Sequence, residues 1–145
     1  MSYLLEPAIG ICRFSFCGKG DWRLSRAAKT PEQIKKMRNE NAMSLYTPAR
    51  MALRFYLFEN FLLPSLRGQS DSNFVCLILT SDIMPQVYLD RLRAICAQDA
   101  HLELLVSSEV TVHEAIWPRL SELNAQAGHP LVQFRIDDDD AVSSK

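Results

Sequence analysis

Four consecutive aspartates, Asp137 to Asp140, follow a short apolar run near the end of the 145-residue chain. Carboxylates this close repel one another, and leaving them unpaired in a cleft raises their pKa values and costs stability. A divalent cation removes that cost, and hard ions such as Mg²⁺ and Mn²⁺ prefer oxygen ligands. Because side chains alternate along an extended segment, we expect Asp137 and Asp139 to point the same way, with Asp140 nearby. The spacing therefore predicts a Mn²⁺ or Mg²⁺ site formed by Asp137, Asp139 and Asp140.

Two other interpretations of the four aspartates remain open. The residues that follow them are mostly small and polar, as in a solvated acidic tail. Asp138, Asp140 and Val142 also fit the D-x-D-x-V pattern of haloacid-dehalogenase-like phosphatases, in which the first aspartate attacks phosphate. That motif normally opens its domain, whereas only three residues follow Val142. Since an isolated tail has no reason to begin at the end of a core strand, we favour the metal site.

Four apolar segments have the length and composition of strands buried on both faces. They are Ala8 to Phe16, Asn73 to Thr80, His101 to Val106 and Leu131 to Ile136. Helical patterns separate the last three segments and also precede the second one, so strands and helices alternate. This order predicts a single α/β domain with a Rossmann-like parallel sheet and helices on both faces.

Helix starts and stops support this alternation. The first predicted helix begins at Thr47, whose hydroxyl can cap it, and is interrupted near Pro64. Its apolar face comprises Met51, Phe55, Phe58, Leu62 and Leu66. A second helix opens at Pro85. A third begins with the capping box of Thr111 and Glu114, kinks or restarts at Pro118, and ends before Gly128.

Ligands of parallel α/β sheets bind at the carboxyl ends of the strands. The residues predicted at that edge are Arg13, Phe14 and Ser15 after the first strand, Ser81 and Asp82 after the second, Ser107 to Glu109 after the third, and the four aspartates after the fourth. The aspartates therefore lie at the predicted functional edge of the sheet.

Overall composition excludes several classes of protein. The 16 basic and 17 acidic residues give no global field that would recruit nucleic acid or an anionic membrane. No apolar run approaches the roughly 20 residues of a membrane span, and we expect a cytoplasmic protein. The four cysteines lack zinc-site spacing and are predicted to be buried, reduced side chains.

Several motifs together resemble the rhamnosyltransferase family of glycosyltransferases. They are R-F-S at Arg13 to Ser15, F-x-L-P-S-L-x-x-Q at Phe61 to Gln69, N-F with an apolar strand ending T-S at Asn73 to Ser81, M-P-x-x-Y at Met84 to Tyr88, and F-R-I-D-D-D-D-A at Phe134 to Ala141. The resemblance implies the nucleotide-sugar-binding half of a GT-A-type glycosyltransferase with a D-x-D metal motif. The implied partners are a nucleotide-diphosphate sugar donor and a glycan or other hydroxyl acceptor.

The resemblance also implies roles for individual residues. Asp139 would be the principal metal ligand, Asp137 would contact the ribose or the metal, and Asp140 would support them. Arg13 and Phe14 would border the nucleotide, although Arg13 can instead pair with a surface carboxylate and Phe14 can be a core residue. Asp82 would contact the base or else cap the next helix. Arg135 would neutralise the aspartates or face the opposite side of the sheet.

The segment from Lys19 to Met43 carries seven basic and three acidic residues. We interpret it as a solvated loop, and a second interpretation is a mobile segment that closes over the donor diphosphate.

GT-A enzymes have a second half after the D-x-D motif, so we expect this sequence to be either an N-terminal fragment of a longer protein or a natural truncation that retains at most donor binding. We name no general base. The alternative class is a non-catalytic nucleotide-binding or protein-interaction module, for which exposed apolar surface predicts self-association.

Overall fold

The computed structural model of the chain describes residues 6–19 and 27–144. The strands are β1 (Ala8–Arg13), β2 (Phe74–Ser81), β3 (Leu102–Ser107) and β4 (Gln133–Asp137). The helices are α1 (Pro31–Leu45), α2 (Pro48–Leu57), α3 (Leu63–Arg67), α4 (Gln86–Ala97) and α5 (Val112–Ala127), and a π-helical turn (Phe58–Leu62) joins α2 to α3. The predicted alternation of strands and helices is confirmed.

The four strands form one parallel sheet in the order β3-β2-β1-β4. The chain moves outward from β1 to β2 and β3, then returns through α5 to place β4 on the other side of β1. This reversal puts α5 on the face opposite α2 and α4, which confirms the Rossmann-like α/β class. It also opens a crevice between the carboxyl ends of β1 and β4, the usual ligand position in such sheets.

The larger part of the core lies between the sheet and the helices α2 to α4. The predicted apolar face of the first long helix is confirmed, because Met51, Phe55, Phe58 and Leu62 are fully buried there. On the other face, Ile116 and Leu120 of α5 pack against alternate residues of β1 and β2. In the part of the chain that the structure describes, every helix is too short or too polar to serve as a membrane span.

The helical segment around Pro64 changes geometry as the sequence predicts. Proline has no amide hydrogen and clashes with the preceding turn of an α-helix. The chain responds with the wider π-helical turn, in which the Leu63 N–H donates to the Phe58 carbonyl five residues earlier. The interruption therefore precedes Pro64 and does not end the helical segment.

The prediction that residues 19 to 43 form a solvated loop is wrong for most of that segment, because α1 occupies it from Pro31 onward. The Thr30 hydroxyl accepts a hydrogen bond from the Gln33 N–H, and the Gln33 side chain accepts one from the Thr30 N–H, each at 3.2 Å. This capping box and Pro31 start the helix. Arg23 and Arg26 of the basic segment lie outside the described residues.

The caps of the other helices agree with the predictions only in part. Thr111 accepts from the Glu114 N–H at 3.3 Å, but the Glu114 carboxylate accepts from the Thr111 hydroxyl instead of the backbone amide. The predicted restart at Pro118 is wrong, since α5 continues through it. Gly128 ends α5 with φ at 80°, as expected of a glycine stop. Thr47 makes no side-chain hydrogen bond with α2, so its predicted capping role is also wrong.

All four cysteines are free and buried, as predicted. Burial raises the pKa of Cys76 to about 12 and the pKa of Cys96 to about 11. These thiols stay protonated near neutral pH and serve as small core side chains.

Candidate functional site

The four aspartates occupy the end of β4 and the turn that follows it. The Asp140 N–H donates to the Asp137 carbonyl at 3.1 Å, and the Asp140 carboxylate accepts from the Asp137 N–H at 3.0 Å. The chain is thus not extended beyond Asp137, and the alternation argument for Asp139 is wrong. The turn nevertheless brings one carboxylate oxygen each of Asp137, Asp139 and Asp140 within 4.8 Å of one another, and all three residues are exposed.

Asp138 has a different environment from its three neighbours, because it is only 5% exposed. Its carboxylate accepts a hydrogen bond from Arg54 of α2 at 2.9 Å, and the same guanidinium nitrogen lies 3.5 Å from Asp139. Burial raises the pKa of Asp138, while the positive charge of Arg54 opposes that increase. Asp138 therefore anchors the turn to α2. This ion pair does not suit the attacking nucleophile of the phosphatase pattern.

A cavity of about 340 Å³ opens beside the aspartate turn, at the crevice between β1 and β4. It is lined by Arg13, Ser15, Phe16, Leu45, Arg50, Arg54, Asp137, Asp138 and Asp139. This volume lies within the range of roughly 300 to 1,000 Å³ that small-molecule sites occupy. The cavity thus combines carboxylates for a cation with guanidinium groups for an anion.

Two of the three residues predicted after β1 reach the cavity. Arg13 pairs with Asp137 in the strand register, and both residues line the cavity wall. Ser15 also lines it and has an unusual backbone conformation, with φ at 47°. The Tyr46 hydroxyl donates to the Ser15 carbonyl at 2.8 Å and holds this turn in place.

Phe14 does not reach the cavity, so its assignment as a nucleotide contact is corrected. Its side chain is fully buried, and its ring lies 4.9 Å from the ring of Phe55 and 5.1 Å from that of Phe58. The alternative interpretation of Phe14 as a core residue is confirmed.

Asp82 follows β2 and does not line the cavity. Its carboxylate accepts from Arg38 of α1 at 2.5 Å, and α4 has no side-chain cap, so Asp82 does not cap that helix. A contact between Asp82 and a nucleobase stays a prediction.

Arg135 lies on the opposite face of the sheet from Phe134 and Ile136, whose side chains pack in the larger core. It lines two cavities on the α5 side, one with His113 and Trp117 and a smaller one with Arg13 and Asp137. The interpretation that Arg135 faces the other side of the sheet is supported. The ion pairs of Arg54 with Asp138 and Asp139 therefore come from α2 and not from β4.

Two arginines of α2 that line the cavity are not among the site residues predicted from the sequence. Arg50 and Arg54 are one helical turn apart. Arg50 directly precedes the buried Met51, and Arg54 directly precedes the buried Phe55. This spacing predicts that their long side chains flank the core on one side of the helix. The signal was present, but only the sheet topology shows that this side faces the aspartates.

A four-stranded parallel sheet flanked by helices, with a carboxylate cluster and a cavity of mixed charge at its switch point, defines a Rossmann-like α/β protein. The particular family follows from comparison with known proteins. A family model described as "Putative rhamnosyl transferase" matches residues 7–145, and the chain belongs to this family. No curated protein and no solved structure matches the chain. The family places the protein, at a coarse level, among the glycosyltransferases.

Proposed function

We propose that this chain binds a nucleoside-diphosphate sugar through a Mn²⁺ or Mg²⁺ ion held by Asp137, Asp139 and Asp140. The bound sugar is then transferred to a hydroxyl group of an acceptor, such as a glycan. The observation that carries this proposal is the carboxylate cluster at the rim of the cavity, between the carboxyl ends of β1 and β4. The family membership supports it, because glycosyltransferases act on activated sugars.

The residues of the cluster fit a hard divalent cation. They offer only carboxylate oxygens, and their exposure leaves room for water and phosphate oxygens to complete the coordination shell. When bound, the cation would offset the negative charge that develops on the leaving diphosphate. The ion pair of Arg54 with Asp138 holds the turn that presents the three ligands.

The family description and the proposed diphosphate contact indicate which sugar and which nucleotides to test first. The family description names rhamnosyl transfer, so an activated rhamnose is the first donor to examine. UDP and dTDP are suitable first probes because they contain the diphosphate without the sugar.

Calorimetric titration of UDP and dTDP, with Mn²⁺ or with a chelator, tests this function directly. We expect binding in the presence of Mn²⁺ that the chelator abolishes. Asp139→Asn keeps the shape of the side chain but removes its charge, and we expect it to weaken binding at least about tenfold. Asp90→Asn makes the same change at an exposed residue of α4 and is the control. It should bind UDP and dTDP as the unaltered protein does.

The proposal is overturned if UDP and dTDP bind with equal affinity in Mn²⁺ and in chelator and if Asp139→Asn leaves that affinity unchanged. Such a result would favour a metal-independent nucleotide-binding module. Failure of a folded sample to bind either nucleotide under both conditions would count against donor binding altogether.

A further inference from the structure

Arg50 lines the cavity but belongs neither to the proposed metal site nor to any ion pair of the described residues. It is half-buried, lines the cavity, and forms no ion pair or hydrogen bond with any residue that the structure describes. Its Nε atom is buried without an acceptor. Burying such a donor unpaired costs roughly 1–3 kcal/mol, more for a charged group, so an arrangement of this kind points to an absent acceptor.

Arg54, one turn further along α2, provides the contrast. It also lines the cavity, but its guanidinium is already bound to Asp138 and Asp139. Of these two arginines, Arg50 is therefore the one whose donors remain available for a ligand.

Ser15 is a second unpaired donor in the wall of the same cavity. The residue is 8% exposed, and its Oγ atom has no hydrogen-bond partner among the described residues. It is also held in the left-handed region of backbone conformation, which is costly for a residue other than glycine and is found most often at functional sites. Two residues from different parts of the chain thus line one cavity, and each has a buried polar atom without a hydrogen-bond partner among the described residues.

The charges around the cavity indicate which ligand fits. Three guanidinium groups and three carboxylates line it, so the opposite charges balance when all are ionised. The proposed metal ligands also include Asp140, so three guanidiniums, four carboxylates and a divalent cation together leave one positive charge in excess. An anion with several oxygen acceptors, such as a diphosphate, would be attracted by that excess and would supply acceptors for the unpaired donors.

We propose that Arg50 and Ser15 form a phosphate-binding subsite that contacts the diphosphate of the donor directly, beside the metal ligands. This subsite rests on the proposed function, because it assumes that the same cavity receives the donor. It adds two protein contacts to phosphate that do not pass through the metal, and it names Arg50 as a binding residue.

Isothermal titration of pyrophosphate and UDP, in the presence of Mn²⁺, tests the subsite. Arg50→Gln removes the charge, and we expect it to weaken the binding of both ligands about 10-fold to 100-fold. Arg50→Lys keeps the charge but loses the planar fork of the guanidinium group. Its affinity for both ligands should therefore lie between that of Arg50→Gln and that of the unaltered protein. Ser15→Ala should weaken both ligands by a smaller factor. Arg93→Gln, an exposed arginine in α4 whose nearest carboxylate is 3.9 Å away, should bind normally.

Titration of Mn²⁺ alone separates this subsite from the metal cluster. Arg50→Gln should bind Mn²⁺ within about twofold of the unaltered protein, whereas Asp139→Asn should not. If UDP binding depends on Asp139 but pyrophosphate and UDP bind equally well to Arg50→Gln, the subsite is refuted and the proposed function stands. If Mn²⁺ binds but neither pyrophosphate nor UDP does, both proposals fail.

Circular dichroism and a urea unfolding curve show whether each variant is folded. If Arg50→Gln does not fold, Arg50→Lys decides the question: a pyrophosphate affinity of that folded variant equal to that of the unaltered protein would contradict the proposed contact of the Arg50 guanidinium with phosphate.

Discussion

Replacing Arg54 with methionine should destabilise the protein through the carboxylate it leaves behind. Arg54 and Asp138 are 2.9 Å apart, and their side chains are 25% and 7% exposed. Arg54→Met keeps much of the aliphatic stem but removes the only cation that the structure places on Asp138 within the described residues. Breaking a fully buried ion pair costs about 3–5 kcal/mol, and the partial exposure of Arg54 lowers our expectation to about 2–3 kcal/mol.

Urea denaturation followed by circular dichroism measures this change. With an m-value of about 2 kcal/mol/M, typical of small domains, the expected loss shifts the unfolding midpoint by about 1–1.5 M. Arg93→Met removes an arginine whose ion pair is exposed on both sides, and it should change the unfolding free energy by less than about 0.5 kcal/mol.

The pH dependence distinguishes lost charge from lost packing. Burial raises the pKa of Asp138 above its usual 3.8, and Arg54 partly opposes that increase. Without Arg54 the pKa of Asp138 rises further, so the Asp138 carboxyl stays protonated to higher pH in the folded variant. A raised carboxyl pKa favours the folded state below the unfolded pKa, and that advantage is lost as the pH rises through the folded pKa. The variant should therefore be close to the unaltered protein at low pH and fall furthest behind at neutral pH.

A double variant completes this test. Arg54→Met combined with Asp138→Asn has no buried charge to compensate, and it should recover most of the lost stability at neutral pH. A stability loss of Arg54→Met that is the same at about pH 4.5 and about pH 7.5, and that the double variant does not recover, would refute the electrostatic reasoning and indicate lost packing of the arginine stem.

Two further predictions concern the parts of the fold that support the site. Gly10→Ala places a methyl group 2.7 Å from the Phe134 ring and 3.1 Å from the Cys76 sulfur, so we expect a loss of about 1–3 kcal/mol in urea unfolding that Phe134→Leu partly restores; no loss would contradict the tight contact. Thr30→Ala removes the hydroxyl that caps α1 and should cost about 1 kcal/mol, whereas Ser44→Ala, on the exposed side of the same helix, should cost almost nothing; equal effects would argue against the cap.

The fold could be predicted from the sequence because its strongest signals are local. Apolar strands separated by helix caps and by apolar side chains at helical spacing specify a parallel α/β sheet almost independently of side-chain detail. The exception is α1, whose buried residues are Met37 and Leu45 only. With so few apolar positions the segment looks like a solvated loop, and its clear helix signals are the capping box of Thr30 and Gln33 and the proline at the first helical position.

The site was predicted in composition but not in geometry. The aspartates were recognisable as a cluster of oxygen ligands, yet one of the four, Asp138, is buried and lies outside the cluster that the other three form. Its partner Arg54 is 84 residues distant in sequence, and their contact depends on how α2 crosses the sheet. Long-range contacts of this kind follow from the packing of whole elements, which residue spacing does not encode.

The turn after β1 shows where local rules fail for a physical reason. The apolar pattern continues to Phe16 and predicts a strand, but the strand ends at Arg13 and Ser15 adopts the left-handed conformation that serine rarely takes. Nothing in the local sequence favours that conformation; the buried hydrogen bond from Tyr46 and the core packing of Phe14 enforce it. Sequences generally agree with their folds at every level, and departures concentrate where a ligand has to be accommodated. Ser15 is such a departure, because it is strained and its hydroxyl has no hydrogen-bond partner among the described residues, and it is the same residue that the proposed phosphate subsite requires.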